Sequence, residues 1–457
     1  MPQGYELTSQ PLLTTEHAVS DTWMRRIKIG LTYLLFLNIF GTLIKSPVTL
    51  YYLIYGGYPF LFLYLGFTFL YVVDKVLSKG SGFTPYEFII FFILTYIMLQ
   101  AGFVTNYYFG QPVMLGMSAE KSWLAILSGI FVFYLLKTRI LDLTIIRDAL
   151  IFTAWFNTPF YLLMILALNP NQFQGTLFVY CNQVKGGCQF EFDIFGLEFA
   201  TIYYFIRFLR TTRWKYAVFF VFFFSYIFFI NQKRGTSVAL LGTMGLYFLI
   251  YTNIEKIIFY TVTFFLGIVG GVGLLELVRP DIVARIVQMY TDVLLVLEGK
   301  ATGEASADAR IRESNTVFKY FNLHPGSWFF GNGKINNNWQ SGPHGEFGHF
   351  YASDIGMLGV VFQFGVLGLL VGLMQYWLVF RTHRKLSRFY RKDYFYQGVL
   401  FFIIFFIVRG IPSGGNFFDP GMAIASSFIA IHYFFYYMQL HPSRNYKYFN
   451  RQQQLLD

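Results

Sequence analysis

The chain has 457 residues, of which 55% are hydrophobic, 21% aromatic and only 13% charged, with a formal net charge of +11 and a mean hydropathy of +0.49. A soluble domain carries about 25% charged residues, so the composition argues against one, while apolar runs approaching the roughly 20 residues of a bilayer-crossing helix recur along the chain. The positive charge does not call for nucleic acid as a partner, because Lys and Arg gather in the cytoplasmic loops of membrane proteins.

In chain order, a polar start from Met1 to Thr22 leads to Arg25, Arg26 and Lys28 and then to an apolar core at 29–44. That is the pattern of an uncleaved first span, not of a cleaved signal peptide. Further apolar cores lie at 57–73, 87–104, 123–136, 148–168, 195–209, 216–231, 236–252 and 257–277, and then at 355–380, 395–408 and 420–438. The expectation is an all-α polytopic membrane protein with about twelve transmembrane helices and one large external loop containing short helices. Its expected organisation is membrane helices over 1–277, an external loop over 278–353, further membrane helices over 354–438 and a cytoplasmic tail over 439–457.

With the N-terminus inside, alternation puts Lys75–Lys79, Lys137–Arg139, Arg207–Lys215, Lys256 and Arg381–Lys392 on the cytoplasmic face. The tail with Arg444, Lys447 and Arg451 joins them, so both termini are expected inside. Cys181 and Cys188 then share one external loop, where an oxidising compartment lets them pair. No activating constellation surrounds either of them.

The expected external face holds arginines against the usual bias: Arg234, Arg279, Arg285, Arg310, Arg312 and Arg409. Arg234, in "INQKRGTSVALL", either snorkels to the interface or faces an anionic ligand, the default reading of an ionisable group at such depth. "PDIVARIVQMYTDVLLVLEGK" has helical apolar spacing but is too polar to span, which suits an interfacial or capping helix. Arg310 and Arg312 open the next helical run as solvated charges or as ligand groups. "FFGNGKINNNW" suits a tight backbone path or an amide-lined surface.

"SGPHGEFGHFYASDIG" then carries His344, Glu346, His349 and Asp354. A zinc site is poorly supported, since the spacing matches no ligand pattern and no thiolate accompanies it. Ser353 reads as a helix cap; Asp354 reads equally as a cap or as a functional carboxylate. Guanidinium groups bind phosphate oxygens in two-point fashion, and a histidine accepts a proton near neutral pH. Together they suit displacement of a diphosphate leaving group by a hydroxyl.

Four features resemble the O-antigen polymerase and ligase superfamily of bacterial polysaccharide assembly. They are "KRGTSVALLGTMGLYFL", "ARIRESNTVFKYFNLHPGSWFFGNG", "PHGEFGHFYASDIGMLGVVFQFGVLGLL" and the late large external loop. The resemblance implies a metal-independent membrane glycosyltransferase without cofactor, at the outer face of the bacterial inner membrane. Its implied partners are donor and acceptor oligosaccharides on undecaprenyl diphosphate, membrane lipid and a chain-length regulator protein. Arg234 and Arg310 would hold the donor diphosphate, with Arg312 and Arg409 as further candidates; Arg310 fits the spacing to Pro325 better than Arg312. A histidine would deprotonate the acceptor hydroxyl. His344 lies near the family distance from Gly356 but is followed by glycine, whereas His349 directly precedes the polar "YASD" entrance, with Glu346 and Asp354 as the other candidates. The expected function is polysaccharide polymerisation. Its rivals are an O-antigen ligase with a lipid A-core acceptor and, from another class, a flippase or transporter. A transporter would bury polar groups at broken helices near the bilayer midplane.

The shared loop of the two cysteines gives a first prediction. Mass spectrometry of unreduced peptides is expected to recover Cys181 joined to Cys188, and two free thiols would overturn it. Replacing both by serine should lower thermal stability more than activity.

Overall fold

A computed structural model describes residues 15–40, 58–77, 82–173, 179–182, 187–190, 194–231, 234–251, 305–336, 352–414 and 421–441, with isolated positions between 269 and 291 and at 339 and 417. The described chain is largely helical, as a chain in lipid must be when each backbone N–H and C=O has to find its partner within the protein. The helices are α1 (Thr15–Phe40), α2 (Tyr58–Leu77), α3 (Pro85–Phe109), α4 (Val113–Ala119), α5 (Leu127–Lys137) and α6 (Leu143–Ala167). They continue as α7 (Phe195–Thr211), α8 (Trp214–Ser225), α9 (Arg234–Tyr251), α10 (Ala305–Leu323), α11 (Ser327–Phe330), α12 (Met357–Tyr390), α13 (Tyr394–Ser413) and α14 (Gly421–Leu440). Between α6 and α7 a hairpin pairs β1 (Val179–Asn182) antiparallel with β2 (Gly187–Phe190), setting Cys181 opposite Cys188. Cys188 is disulfide-bonded, and the chain has one other cysteine.

Local chemistry sets the ends of these helices. Thr84 and Glu87 form a reciprocal capping box at the start of α3, with Pro85 at the first helical position. Gly110 ends α3 in the left-handed conformation at φ 74°. The Asp142 carboxylate accepts from the N–H groups of Thr144 and Ile145 at the start of α6, and Asp393 does the same for Phe395 and Tyr396 at the start of α13.

The protein is a multi-pass membrane protein, but not with about twelve spans. Among the described residues five helices are long and apolar enough to cross a bilayer: α3, α6, α12, α13 and α14. A sixth appears if α4 and the segment Lys121–Lys137, bent by 51° relative to one another, count as one span. The expected core at 195–209 forms α7, which has 17 residues; that at 216–231 lies in the apolar helix Trp214–Ile230, no longer than that, and that at 236–252 in α9, which has 18. At 1.5 Å per residue such a helix reaches about 26 Å, short of a hydrocarbon core of about 30 Å. The core at 29–44 belongs to a helix whose first half carries Arg25, Arg26 and Lys28. The core at 257–277 lies mostly outside the described residues.

The two groups of membrane helices share one core, dominated by aromatic rings. Phe402 lies 4.3 Å from Phe428, and both pack on Phe199, joining α7, α13 and α14. α14 is the most enclosed span, with 89% of its apolar window buried. Small residues make that possible. Ser128 meets Ser427 at 3.0 Å, Ser426 donates to the Ile126 carbonyl, and a Cβ on Gly129 would stand 2.1 Å from the Ser426 hydroxyl.

α12 is broken. Gly365 sits at φ 73°, ψ 174° inside it, which removes helical partners from nearby carbonyls. The segment Gly331–Asn332–Gly333 supplies replacements: the Asn332 N–H donates to Phe362 O at 2.9 Å and the Gly333 N–H to Gln363 O at 2.8 Å. Backbone meets backbone so closely that a Cβ on Gly331 would lie 2.4 Å from Gln363 O, and one on Gly365 2.2 Å from Phe329 O. The "GNG" stretch is therefore a tight backbone path.

Gly331→Ala should therefore destabilise the protein by about 2 kcal/mol or more, from overpacking and from a left-handed φ that alanine resists. Gly245→Ala in α9, where a Cβ meets nothing within 4 Å, should raise stability by up to about 1 kcal/mol through helix propensity. Thermal unfolding of the two variants checks the contrast; equal effects would sink it.

Candidate functional site

The bundle has chemically different ends. At one end the basic residues meet: Arg25 pairs with Asp148 at 2.6 Å, Arg147 pairs with the same carboxylate at 2.8 Å, and Arg207 and Lys392 line the cavity beside them. Nearby, Arg210 donates to Tyr247, which bonds Gln397. At the opposite end of α13, Gly356 lies against the backbone of Ile411 and Pro412.

Several of the sequence-predicted groups approach that second end. The 3₁₀ turn Ala352–Ile355, which contains Asp354, packs on α12, α13 and α10. Arg310 and Arg312 are both exposed on α10. This helix docks through Val317 and Phe321 onto Phe362 of α12, with Phe321 stacked on Trp328 at 4.0 Å. Helical periodicity puts Arg310 on the same face as Val317 and Phe321, and Arg312 on the other. The backbone of Arg234 opens α9, which runs antiparallel to α13. Tyr247 meets Phe401, while Gly242 faces Val408, so Arg234 begins about 12 Å beyond that contact, past the end of α13.

His344, Glu346 and His349 lie outside the described residues, as do Arg279 and Arg285. Arg409 has a different setting from the others. Its Nη1 lies 3.1 Å from both carboxylate oxygens of the fully buried Glu198, and its guanidinium stacks 4.9 Å from the Phe195 ring. Glu198 thus offsets the charge that the sequence reading offered to a diphosphate.

One buried polar junction escaped the sequence reading. Glu120 occupies the bend between α4 and the following 3₁₀ turn and is almost wholly buried. Its carboxylate accepts from the Gln363 side chain of α12, and the Lys334 charge acts on it. Gln100 of α3 donates to Phe330 O at 2.7 Å and Gln363 O at 2.9 Å. The buried amide oxygens of Gln100 and Asn332 have no hydrogen-bond partner among the described residues. Gln111 and Asn336 stitch the following loop to α4. Gln363 lies about 9 Å along α12 from its start, so the junction sits within the span. The 105–122 stretch reads in sequence as an external loop, which hid Glu120. The available signal was a set of isolated polar residues, Gln100, Glu120 and Gln363, each inside or beside an apolar run.

Among the described residues no group of three or more His, Cys, Asp or Glu side chains is arranged to hold a metal ion. No family model matches the chain, and no curated protein matches it.

Because Glu198 is buried, Arg409→Met should cost about 3–5 kcal/mol by stranding a charge. Adding Glu198→Gln should recover much of that loss. Denaturation of the two single variants and the double variant forms the test; additive losses would show that the pair is not coupled.

Proposed function

We propose that the protein is a polysaccharide polymerase of the bacterial inner membrane. It transfers a growing glycan from undecaprenyl diphosphate to the sugar of an incoming lipid-linked unit. The observation that carries this reading is the docking of α10 on the entrance to α12. Arg310 lies on the docking face, Asp354 stands in the neighbouring 3₁₀ turn, and α9 begins with Arg234 at the same end of the bundle. In the proposed reaction Arg234 and Arg310 hold the donor diphosphate by two-point contacts, and Arg312 on the opposite face is secondary. His349 takes the acceptor hydroxyl proton, the freed oxygen attacks the anomeric carbon, and the lipid diphosphate leaves. A chain-length regulator protein is a proposed partner.

The sidedness belongs to the same proposal. The clustering of Arg25, Arg147, Arg207 and Lys392 at one end supports a cytoplasmic assignment for that end, with both termini there. The Arg310 end is then external, where lipid-linked units are polymerised.

A specific observation favours a second reading, a transporter of an anionic lipid-linked sugar. Two interrupted helices, at Glu120 and Gly365, enclose a carboxylate and amide oxygens that have no partner among the described residues.

Purified protein in vesicles with a synthetic lipid-linked repeat separates the two. Polymer should form without net movement of lipid across the bilayer; movement without polymer would select the transporter. Arg234→Lys and Arg310→Lys should each abolish polymer, because Lys keeps the charge but loses the planar fork. Normal polymer length from either at normal protein level would remove that arginine from the mechanism. His349→Ala should lower the rate by about 10²–10⁴-fold, as loss of a general base does, and His344→Ala should retain activity. The reverse would move the base to His344, and full activity of the double variant would point to Glu346 or Asp354.

A further inference from the structure

A cavity of about 510 Å³ opens at the basic end of the bundle, between α6, α7 and the start of α13. Nothing in glycan transfer uses it, since it lies at the end opposite α10. Arg147, Arg207 and Lys392 line it, with Asp148 and Asp393. Both carboxylates are already engaged. Asp148 takes Arg25 and Arg147, and Asp393 accepts two backbone N–H groups as the cap of α13. The cations outnumber the carboxylates, and Arg25 adds another positive charge at the edge.

Arg207 is the most telling group. Its guanidinium stacks 4.2 Å from the Tyr216 ring and, among the described residues, makes a single long 3.4 Å bond, to the Tyr203 hydroxyl. Its Nε is buried without a hydrogen-bond partner among the described residues. A buried unpaired donor on a cation costs free energy unless a ligand satisfies it. Arg147 lines the same cavity as Arg207 and Tyr203, and the charges of Arg147, Arg207 and Asp393 all act on the Tyr203 hydroxyl. Beside it the Tyr204 hydroxyl accepts from Trp155 Nε1 at 3.0 Å, which leaves its own proton to donate. These groups are all donors, and they suit a phosphate.

The wall decides between sources of phosphate. Phe152 lines the cavity and is 44% exposed, as is the neighbouring Phe156 at 45%. The apolar side of the cavity thus continues onto the outer surface of α6, where acyl chains lie. Basic pockets between membrane helices at the cytoplasmic side bind anionic headgroups in this way. We propose that this cavity binds the phosphate headgroup of an anionic membrane lipid, with Arg207 and Lys392 as the main contacts and the acyl chains along Phe152 and Phe156.

The test uses the full chain in mild detergent, titrated with dihexanoyl-phosphatidylglycerol, dihexanoyl-phosphatidylcholine or inorganic phosphate at constant ionic strength, with melting temperature as readout. The anionic lipid should raise it saturably and the other two should not. Arg207→Gln with Lys392→Gln should weaken the apparent affinity by about tenfold or more, as loss of charge-assisted contacts does. Arg384→Gln with Arg388→Gln, which removes equal charge from the exposed end of α12, should leave it unchanged. Equal loss in both pairs, or none in the first, overturns the site. Stabilisation by inorganic phosphate that depends on Arg207 overturns the lipid and assigns a soluble anion. Should the first pair fold poorly, quenching by chain-brominated lipids gives a second reading. Brominated phosphatidylglycerol should quench more than brominated phosphatidylcholine, and the difference should vanish in Trp155→Phe. Its persistence there would also overturn the proposal.

Discussion

The carbonyls of Phe362 and Gln363 cannot be left bare inside a membrane protein, and their pairing organises the half of the bundle where α10 docks. Gly365 breaks α12 just beyond them. Asn332 and Gly333 arrive from a distant loop to donate to them, and Gln100 adds a side-chain donor from α3. Without water to substitute, each unsatisfied group would cost several kcal/mol. The loop is therefore tied in place, and so are the two helices that precede it. α11 packs on α12, and α10 follows through Phe321 and Phe362. The position of Arg310 is thus a consequence of a repaired helix break.

The same logic sets the interior at Glu120. The bend after α4 brings a carboxylate between helices, where the Gln363 amide meets it. An ionisable group at this depth is costly, which makes it a functional candidate. Its location separates the two proposed activities. Lipid-linked chemistry at the surface does not require the junction, whereas movement of a solute through the bundle does.

Charge divides the two ends. On the basic side, cations are held by aromatic faces and shared carboxylates: Arg207 on Tyr216, Arg147 and Arg25 on Asp148. On the other side, Arg310 and Arg312 stand exposed on a docked helix. Arg409 belongs to neither population. Glu198 compensates it within the core, and its sequence context alone, "IVRGIPSGG", did not reveal that partner 211 residues away.

Composition and apolar run length determined that the chain lives in a membrane and is built of helices, because those properties depend on local residue content. The starts and stops at Thr84, Gly110, Asp142 and Asp393 are equally local, since a cap acts on the turn beside it. The number of spans was not determined in this way: a run of apolar residues looks the same whether its helix has 17 residues or 25, and only the helix ends decide whether it reaches across. Nor did the sequence disclose the pairing of Arg409 with Glu198, the meeting of Glu120 with Gln363, or the cavity beside Arg207. Each joins residues far apart in the chain, and such contacts exist only once the helices have packed.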